Sequence, residues 1–279
     1  MKFTKMHGLG NDFIVIAGER KLPDNASELA VKLCDRHFGV GADGIVYILP
    51  SERADFMMRI INADGTEAEQ CGNAVRCTAK YVYDHGLANS TSITIETIGA
   101  GVQPLTLTVE DGKVTRVRVD MGAPVLDGPS IPVLIEGGPI AGHPVSVQGR
   151  EFRFTAVSMG NPHCVIRVDD AEAFDVGTWG PLLEHHPLFP RRTNVEFITV
   201  QDPRHIIMRV WERGVGPTLA CGTGACATLV ACVLNGYSER AATVSLAGGD
   251  LFIEWDEESG HVYMTGPAVE VFSGTLADI

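Results

Sequence analysis

Apolar residues fall in short runs along the chain, bounded by Gly, Asn, Asp or Pro. That punctuation predicts many short strands joined by tight turns. In the first half, strands are expected at the N-terminus, at Phe13-Ile14-Val15-Ile16, and over 45–49, 56–62, 92–97, 105–109 and 113–120, the last two joined by an Asp111-Gly112 hairpin turn. Helical spacing of apolar residues appears twice there, over 28–35 behind Asn25 or Ser27 and over 74–83, which Gly86 closes. Met121-Gly122-Ala123-Pro124 breaks the pattern, and the order then repeats. Strands are expected over 145–147, 151–158, 164–168, 193–200, 206–212, 243–246, 251–255, 262–265 and 267–272. Helices are expected from an acidic start at 169–174 to Pro187, and over 225–234, a segment apolar on nearly every face and so expected to be buried.

The repetition has a fixed step. Glu69-Gln70-Cys71-Gly72-Asn73-Ala74-Val75-Arg76-Cys77 is echoed by Leu219-Ala220-Cys221-Gly222-Thr223-Gly224-Ala225-Cys226. Cys71 and Cys221, Asn11 and Asn161, and Asn62 and Glu212 each stand 150 positions apart (221 − 71, 161 − 11, 212 − 62). A repeat this long implies two copies of one domain rather than a solenoid. The expected fold class is α+β. Two pseudo-symmetric domains, 1–120 and 121–266, each wrap a curved, mainly antiparallel sheet around a central buried helix, and the tail 267–279 returns to the first.

Composition narrows the function. With 279 residues, 45% of them apolar, the chain can bury a substantial core. A net charge of −13 argues against a nucleic-acid or anionic-membrane partner. No apolar run reaches the length of a membrane span, and Met1 to Met6 lacks a signal peptide's apolar segment, so a cytoplasmic protein is expected. The seven cysteines are odd in number and lack zinc-knuckle spacing, so neither a disulfide framework nor a metal site is expected. Cys34, Cys77, Cys226 and Cys232 read as small buried hydrophobes. Gly39-Val40-Gly41-Ala42-Asp43-Gly44 lacks the Lys and the following helix of a phosphate loop, and reads as a tight turn beside a ligand cleft. His185-His186 reads as a solvated helix end.

Cys71 and Cys221 are different. Each precedes a Gly and a small polar residue, Asn73 or Thr223, of the kind that caps helices. A helix start favours a thiolate or a bound carboxylate. If the two copies face one cleft, one thiolate can take a proton from a carbon while the other thiol returns one on the opposite face, and a reference thiol pKa of about 8.5 suits both tasks. No cofactor signature is present, so the proton must be acidified electrostatically, by backbone N–H groups of Gly72-Asn73 and Gly222-Thr223 aimed at an α-carboxylate. Two rivals stay open: a cysteine hydrolase with His163 as base, and a structural or metal-binding module with inert thiols.

Further words narrow the choice: Met6-His7-Gly8-Leu9-Gly10-Asn11-Asp12-Phe13, Asn62-Ala63-Asp64-Gly65, Gln70-Cys71-Gly72-Asn73, Met159-Gly160-Asn161-Pro162-His163, Arg192-Thr193-Asn194-Val195-Glu196-Phe197, Trp211-Glu212-Arg213-Gly214 and Gly266-Pro267-Ala268-Val269. In this order they resemble the diaminopimelate epimerase family over essentially the whole chain. The resemblance implies cofactor-independent interconversion of LL- and meso-2,6-diaminopimelate, on the route to lysine and peptidoglycan, by a homodimer. It implies Cys71 and Cys221 as the two catalytic thiols, assisted by His163 and Glu212. Asn11, Asn62, Asn161, Asn194, Glu212 and Arg213 would hold the substrate, mainly its distal end, with Gly72, Asn73, Gly222 and Thr223 at its reacting end. Arg213 suits a carboxylate and Glu212 an ammonium. Without the resemblance, Asn11 and Asn161 would read as turn residues and Glu212-Arg213 as an exposed pair of little energetic value. Many members carry Gln where this chain has Gly44, so that position is left out of the site. Proline racemase and hydroxyproline epimerase resemble the same architecture, but a cyclic substrate with one carboxylate leaves Asn62, Asn194 and Arg213 without a purpose. Phenazine-type isomerases lack the cysteine pair.

Overall fold

A computed structural model describes residues 1–276; residues 277–279, the end of the expected returning tail, lie outside the described residues. The chain divides into two compact units, Met1–Asp120 with the segment from Thr265, and Met121–Met264. The first runs β1 (Lys2–Gly8), β2 (Asn11–Ala17), α1 (Ala26–Cys34), β3 (Gly44–Leu49), β4 (Phe56–Asn62), β5 (Glu67–Ala68), α2 (Gly72–Asp84), β6 (Ser92–Thr97), β7 (Gly101–Glu110) and β8 (Lys113–Asp120). The second runs β9 (His143–Val147), β10 (Arg150–Ser158), β11 (Pro162–Arg167), α3 (Val176–Glu184), β12 (Asn194–Asp202), β13 (His205–Glu212), β14 (Gly216–Thr218), α4 (Gly222–Leu234), β15 (Ala241–Leu246) and β16 (Gly249–Trp255). It ends within β17 (Val262–Gly266), and β18 (Val269–Thr275) pairs antiparallel with β1.

Each unit is a three-layer stack. In the first, α2 lies against β8 and β1 on the inner face of the sheet. Ala30 and Leu33 of α1 pack with Ile14, Ile16, Ile45 and Tyr47 on the outer face. β2 and β3 are therefore covered on both sides, which is why they read as continuous apolar runs rather than alternating ones. In the second, α4 lies against β16 and β10, while Leu183 of α3 packs with Phe152, Phe154 and Phe197 outside. Helix α4 is buried from Gly222 to Cys232 except at Thr223, as its apolar surface requires.

The sheets are mainly antiparallel, as expected, but each helix sits in a parallel crossover. β2 pairs parallel with β3 across α1, β4 with β6 across α2, β11 with β12 across α3 and β13 with β15 across α4. Parallel neighbours need a long connection, and a helix supplies it while covering a sheet face. Periodicity locates the helices but does not reveal which strands they join.

The 150-residue step holds at the level of register. Phe13 pairs with Gly44 and His163 with Asn194; Ile60 pairs with Ala68 and Val210 with Thr218. Gly44 thus occupies the place that Asn194 holds in the second unit. The step slips where the turn Leu9-Gly10 joins Gly8 to Asn11, because the matching turn, Met159-Gly160-Asn161 between Ser158 and Pro162, is longer. Asn11 therefore opens a strand, whereas Asn161 stays in a turn. No helix among the described residues is long and apolar enough to cross a membrane.

Candidate active site

Both cysteines sit at helix starts, which fall two positions earlier than the capping pattern suggested. The helices begin at Gly72 and Gly222, so Cys71 and Cys221 themselves take the N-cap positions with extended backbones. Asn73 and Thr223 fall in the first turn instead of capping it. The Cys221 sulfur acts as the cap, accepting from the Gly224 N–H at 3.4 Å.

In the first unit, Cys71, Asn11 and Asn73 form one network. The Asn11 carboxamide oxygen accepts from the Cys71 thiol at 3.5 Å and from the Asn73 amide at 3.1 Å. Its NH2 donates to Asp43 at 2.7 Å, which fixes the amide's orientation because a carboxylate can only accept. Arg36 in turn binds Asp43 and, with two nitrogens, Asp12. Burial alone would raise the Asp12 carboxyl, but hydrogen bonds from Arg36 and Lys5 outweigh it and hold the group at about 2. Beneath Asn73, the fully buried Arg76 donates to the Asn73 side chain, to Gly72 O and to Pro267 O. Asn62 stands on the same end of the sheet, opposite Gly44, but is tied to Thr66 rather than to the Cys71 network. A Cβ at Gly44 would lie 2.8 Å from the Ile61 carbonyl oxygen, so seating Gln or any other side chain requires the strand pair to shift.

The second unit collects more charge. The Glu212 carboxyl is hydrogen-bonded by Cys221 and Thr218. Burial pushes it upward; those hydrogen bonds and the nearby His163 pull it back, and Glu196 adds to the rise. Burial also pushes the Cys221 thiol well above its usual range, with Glu212 and then Glu196 adding to the effect. The expectation that a helix start favours a thiolate is thus overturned at Cys221. Partial charges at the N-terminus are outweighed by desolvation and two carboxylates. His163 is fully buried, with Nδ1 2.7 Å from Glu196 Oε1 and Nε2 2.9 Å from Asn161 Oδ1. Asn194 lies beside His163 on the neighbouring strand. Its NH2 donates to Pro162 O and its oxygen accepts from the Arg213 backbone N–H. The Arg213 side chain is exposed and reaches Arg191 O at 3.3 Å. A cavity of about 430 Å³ elsewhere in this unit, lined by Arg153, Arg167 and Tyr237, includes none of these residues.

Sequence reasoning missed Glu196, Asp43, Arg76 and Thr218. Two left a signal: Glu196 is the one charge in the run from Val195 to Val200, and Arg76 the one charge among small residues from Gly72 to Ala79. A charge inside a buried run needs a partner, and here each has one.

The sequence profile described as diaminopimelate epimerase matches residues 3–126 and 155–271. A diaminopimelate epimerase from Acetivibrio thermocellus is 58% identical over 276 residues, covering 99% of this chain and 98% of its own. One from Pelotomaculum thermopropionicum is 59% identical, covering 98% of each. Among solved structures, a probable proline racemase from Agrobacterium radiobacter K84 superposes with a TM-score of 0.73 at 18% identity, covering 99% of this chain and 92% of its own; that likeness shows the shared fold. With a profile that spans both units and relatives this similar from end to end, the chain belongs to the diaminopimelate epimerase family.

Proposed function

We propose that this family member epimerises LL-2,6-diaminopimelate to the meso form by proton transfer between two thiols, Cys71 and Cys221, one taking the α-proton and the other returning one. The observation that carries the reading is the pair of cysteines at matching N-cap positions, 150 residues apart, each with helix-start N–H groups beside it. Those N–H groups, at Gly72-Asn73 and Gly222-Thr223, stabilise the charge that develops on the substrate carboxylate as the proton leaves. Cys221 rests as a thiol. When it must act as the base, Glu212, which its thiol hydrogen-bonds and whose carboxyl burial pushes upward, is the group placed to receive its proton. Asn11, Asn161 and His163 border the reacting end, and Asn62, Asn194 and Arg213 take the distal amino-acid end. A hydrolase reading fits less well, because both ring nitrogens of His163 are already engaged by Glu196 and Asn161.

The test is incubation with LL-diaminopimelate in deuterated water. Meso product should carry deuterium at the inverted carbon, and Cys71→Ser and Cys221→Ser should each lose epimerisation by at least about a thousandfold, since a hydroxyl is a far poorer base. Cys226→Ser should not. Near-normal turnover in either of the first two variants would refute the two-thiol reading. By family resemblance the working form is a cytoplasmic homodimer. Val269, Val271 and Phe272 on β18 are 42%, 55% and 48% exposed and offer apolar surface for a second copy. Sedimentation at micromolar concentration checks this: a monomer at the concentration used for assay would remove the dimer.

A further inference from the structure

The two arginines that line the cavity in the second unit face each other across neighbouring strands. β10 and β11 run antiparallel with Phe154 against Ile166 and Thr155 against Val165, and the same register sets Arg153 against Arg167. Phe154 and Ile166 point to the outer core beside Leu183 of α3, so Arg153, Thr155, Val165 and Arg167 share the face that α4 covers. Like charges directly opposite on an antiparallel pair are destabilising. Arg153 donates to Gly142 O at 3.1 Å, and the Arg167 guanidinium lies 4.7 Å from the centre of the Tyr237 ring. Neither forms an ion pair among the described residues, although Asp169 lines the same cavity.

The wall supplies a third donor. Thr155 is only 4% exposed, and its hydroxyl oxygen accepts from the Gly142 N–H at 3.2 Å and from the Asn235 NH2 at 2.8 Å. The same NH2 donates to Ala231 O at 2.7 Å, which fixes the amide with its nitrogen towards Thr155. The hydroxyl's own hydrogen is therefore left without an acceptor among the described residues. Val165, Ile198 and Ala231 make the lining apolar between these polar groups. A volume of about 430 Å³ is that of a small-molecule site.

We propose that this cavity is a second binding site, for a small organic carboxylate. Arg153 and Arg167 share the carboxylate, the Thr155 hydroxyl donates to it, and its carbon body lies against Val165 and Ile198. Guanidinium forks match the two oxygens of a carboxylate, and an anion between them turns a repulsive pair into an attractive one. The apolar lining favours an anion with a carbon body over bare phosphate. The site is separate from Cys221. It lies at the C-terminal end of α4, where Ala231, Cys232 and Asn235 line it, and the 13 residues of that helix span about 20 Å.

The test titrates the full chain with benzoate and, separately, with inorganic phosphate, by calorimetry at low ionic strength. Benzoate should bind saturably, more tightly than phosphate, and should shift the methyl signals of Ile198, assigned by their change in Ile198→Val. Arg153→Gln combined with Arg167→Gln should weaken benzoate roughly 10–100-fold, the loss expected when charge-assisted hydrogen bonds are removed. Epimerase turnover should be unchanged in that variant. Both side chains are exposed, and Arg153→Gln alone, which keeps an amide donor for Gly142 O, should already weaken binding. Absence of saturable binding, binding that survives the double substitution, or Ile198 signals that do not move would each overturn the site. Phosphate binding as tightly as benzoate would overturn the assignment of an organic carboxylate.

Discussion

At Arg213 and Asp12 single side chains lead to opposite kinds of measurement. Lysine lacks only the distal carboxylate of diaminopimelate, so on the proposed reading it cannot form the ion pair this group makes with Arg213. Sites that demand a polar partner discriminate by about four to five orders of magnitude. Lysine should therefore be racemised about 10⁴-fold more slowly, and Arg213→Met should remove most of the gap by slowing diaminopimelate alone. Equal rates on both substrates in the unmutated protein would sink this assignment. Asp12 bears on stability. Its carboxyl is held at about 2 against an ordinary 3.8, so the folded state binds fewer protons than the unfolded one between those values. The stabilisation is complete above the unfolded value and is lost as pH falls from about 5 towards 2. Partial exposure of the ion pairs trims it to roughly 1–2 kcal/mol. Urea midpoints at pH 3 and pH 6 should differ less in Asp12→Asn than in the unmutated protein; an equal difference would mean that Asp12 does not set the acid limb.

The elements show what periodicity can and cannot reveal. Helix α3 opens at Val176 because Asp175 accepts from the Thr178 N–H at 3.0 Å, later than the acidic segment 169–174 suggested. Asp175→Ala should lower the melting temperature modestly, through loss of the cap, and leave epimerisation intact. Thermal melts and an activity assay on the same sample check both halves of that statement. Leu229→Ala in α4 should cost far more, roughly 2–5 kcal/mol, because the side chain is fully buried and its loss opens a cavity. Both central helices were legible, since α4 is apolar all round and α2 carries a clear buried face. Their starting residues were not, because cysteine is not a standard capping residue. The short strands β5 and β14 carry too few residues for any period to show.

Across the whole chain, the 150-residue step was legible from Cys71, Asn11 and Asn62 and their counterparts, and the strand registers follow it. The charges that distinguish the halves were not, since Glu196, Arg76 and Asp43 owe their importance to burial and contact rather than to spacing. One consequence of the chain path concerns synthesis. Thr4 in β1 meets Ser273 in β18, 269 positions away. The N-terminal unit therefore cannot close its sheet until β18 has left the ribosome. Domains usually mature in the order they are translated; here the unit translated first waits for a strand translated last. Until β18 arrives, β1 presents the nascent chain with an unpaired edge that invites association with a neighbour on the same polysome.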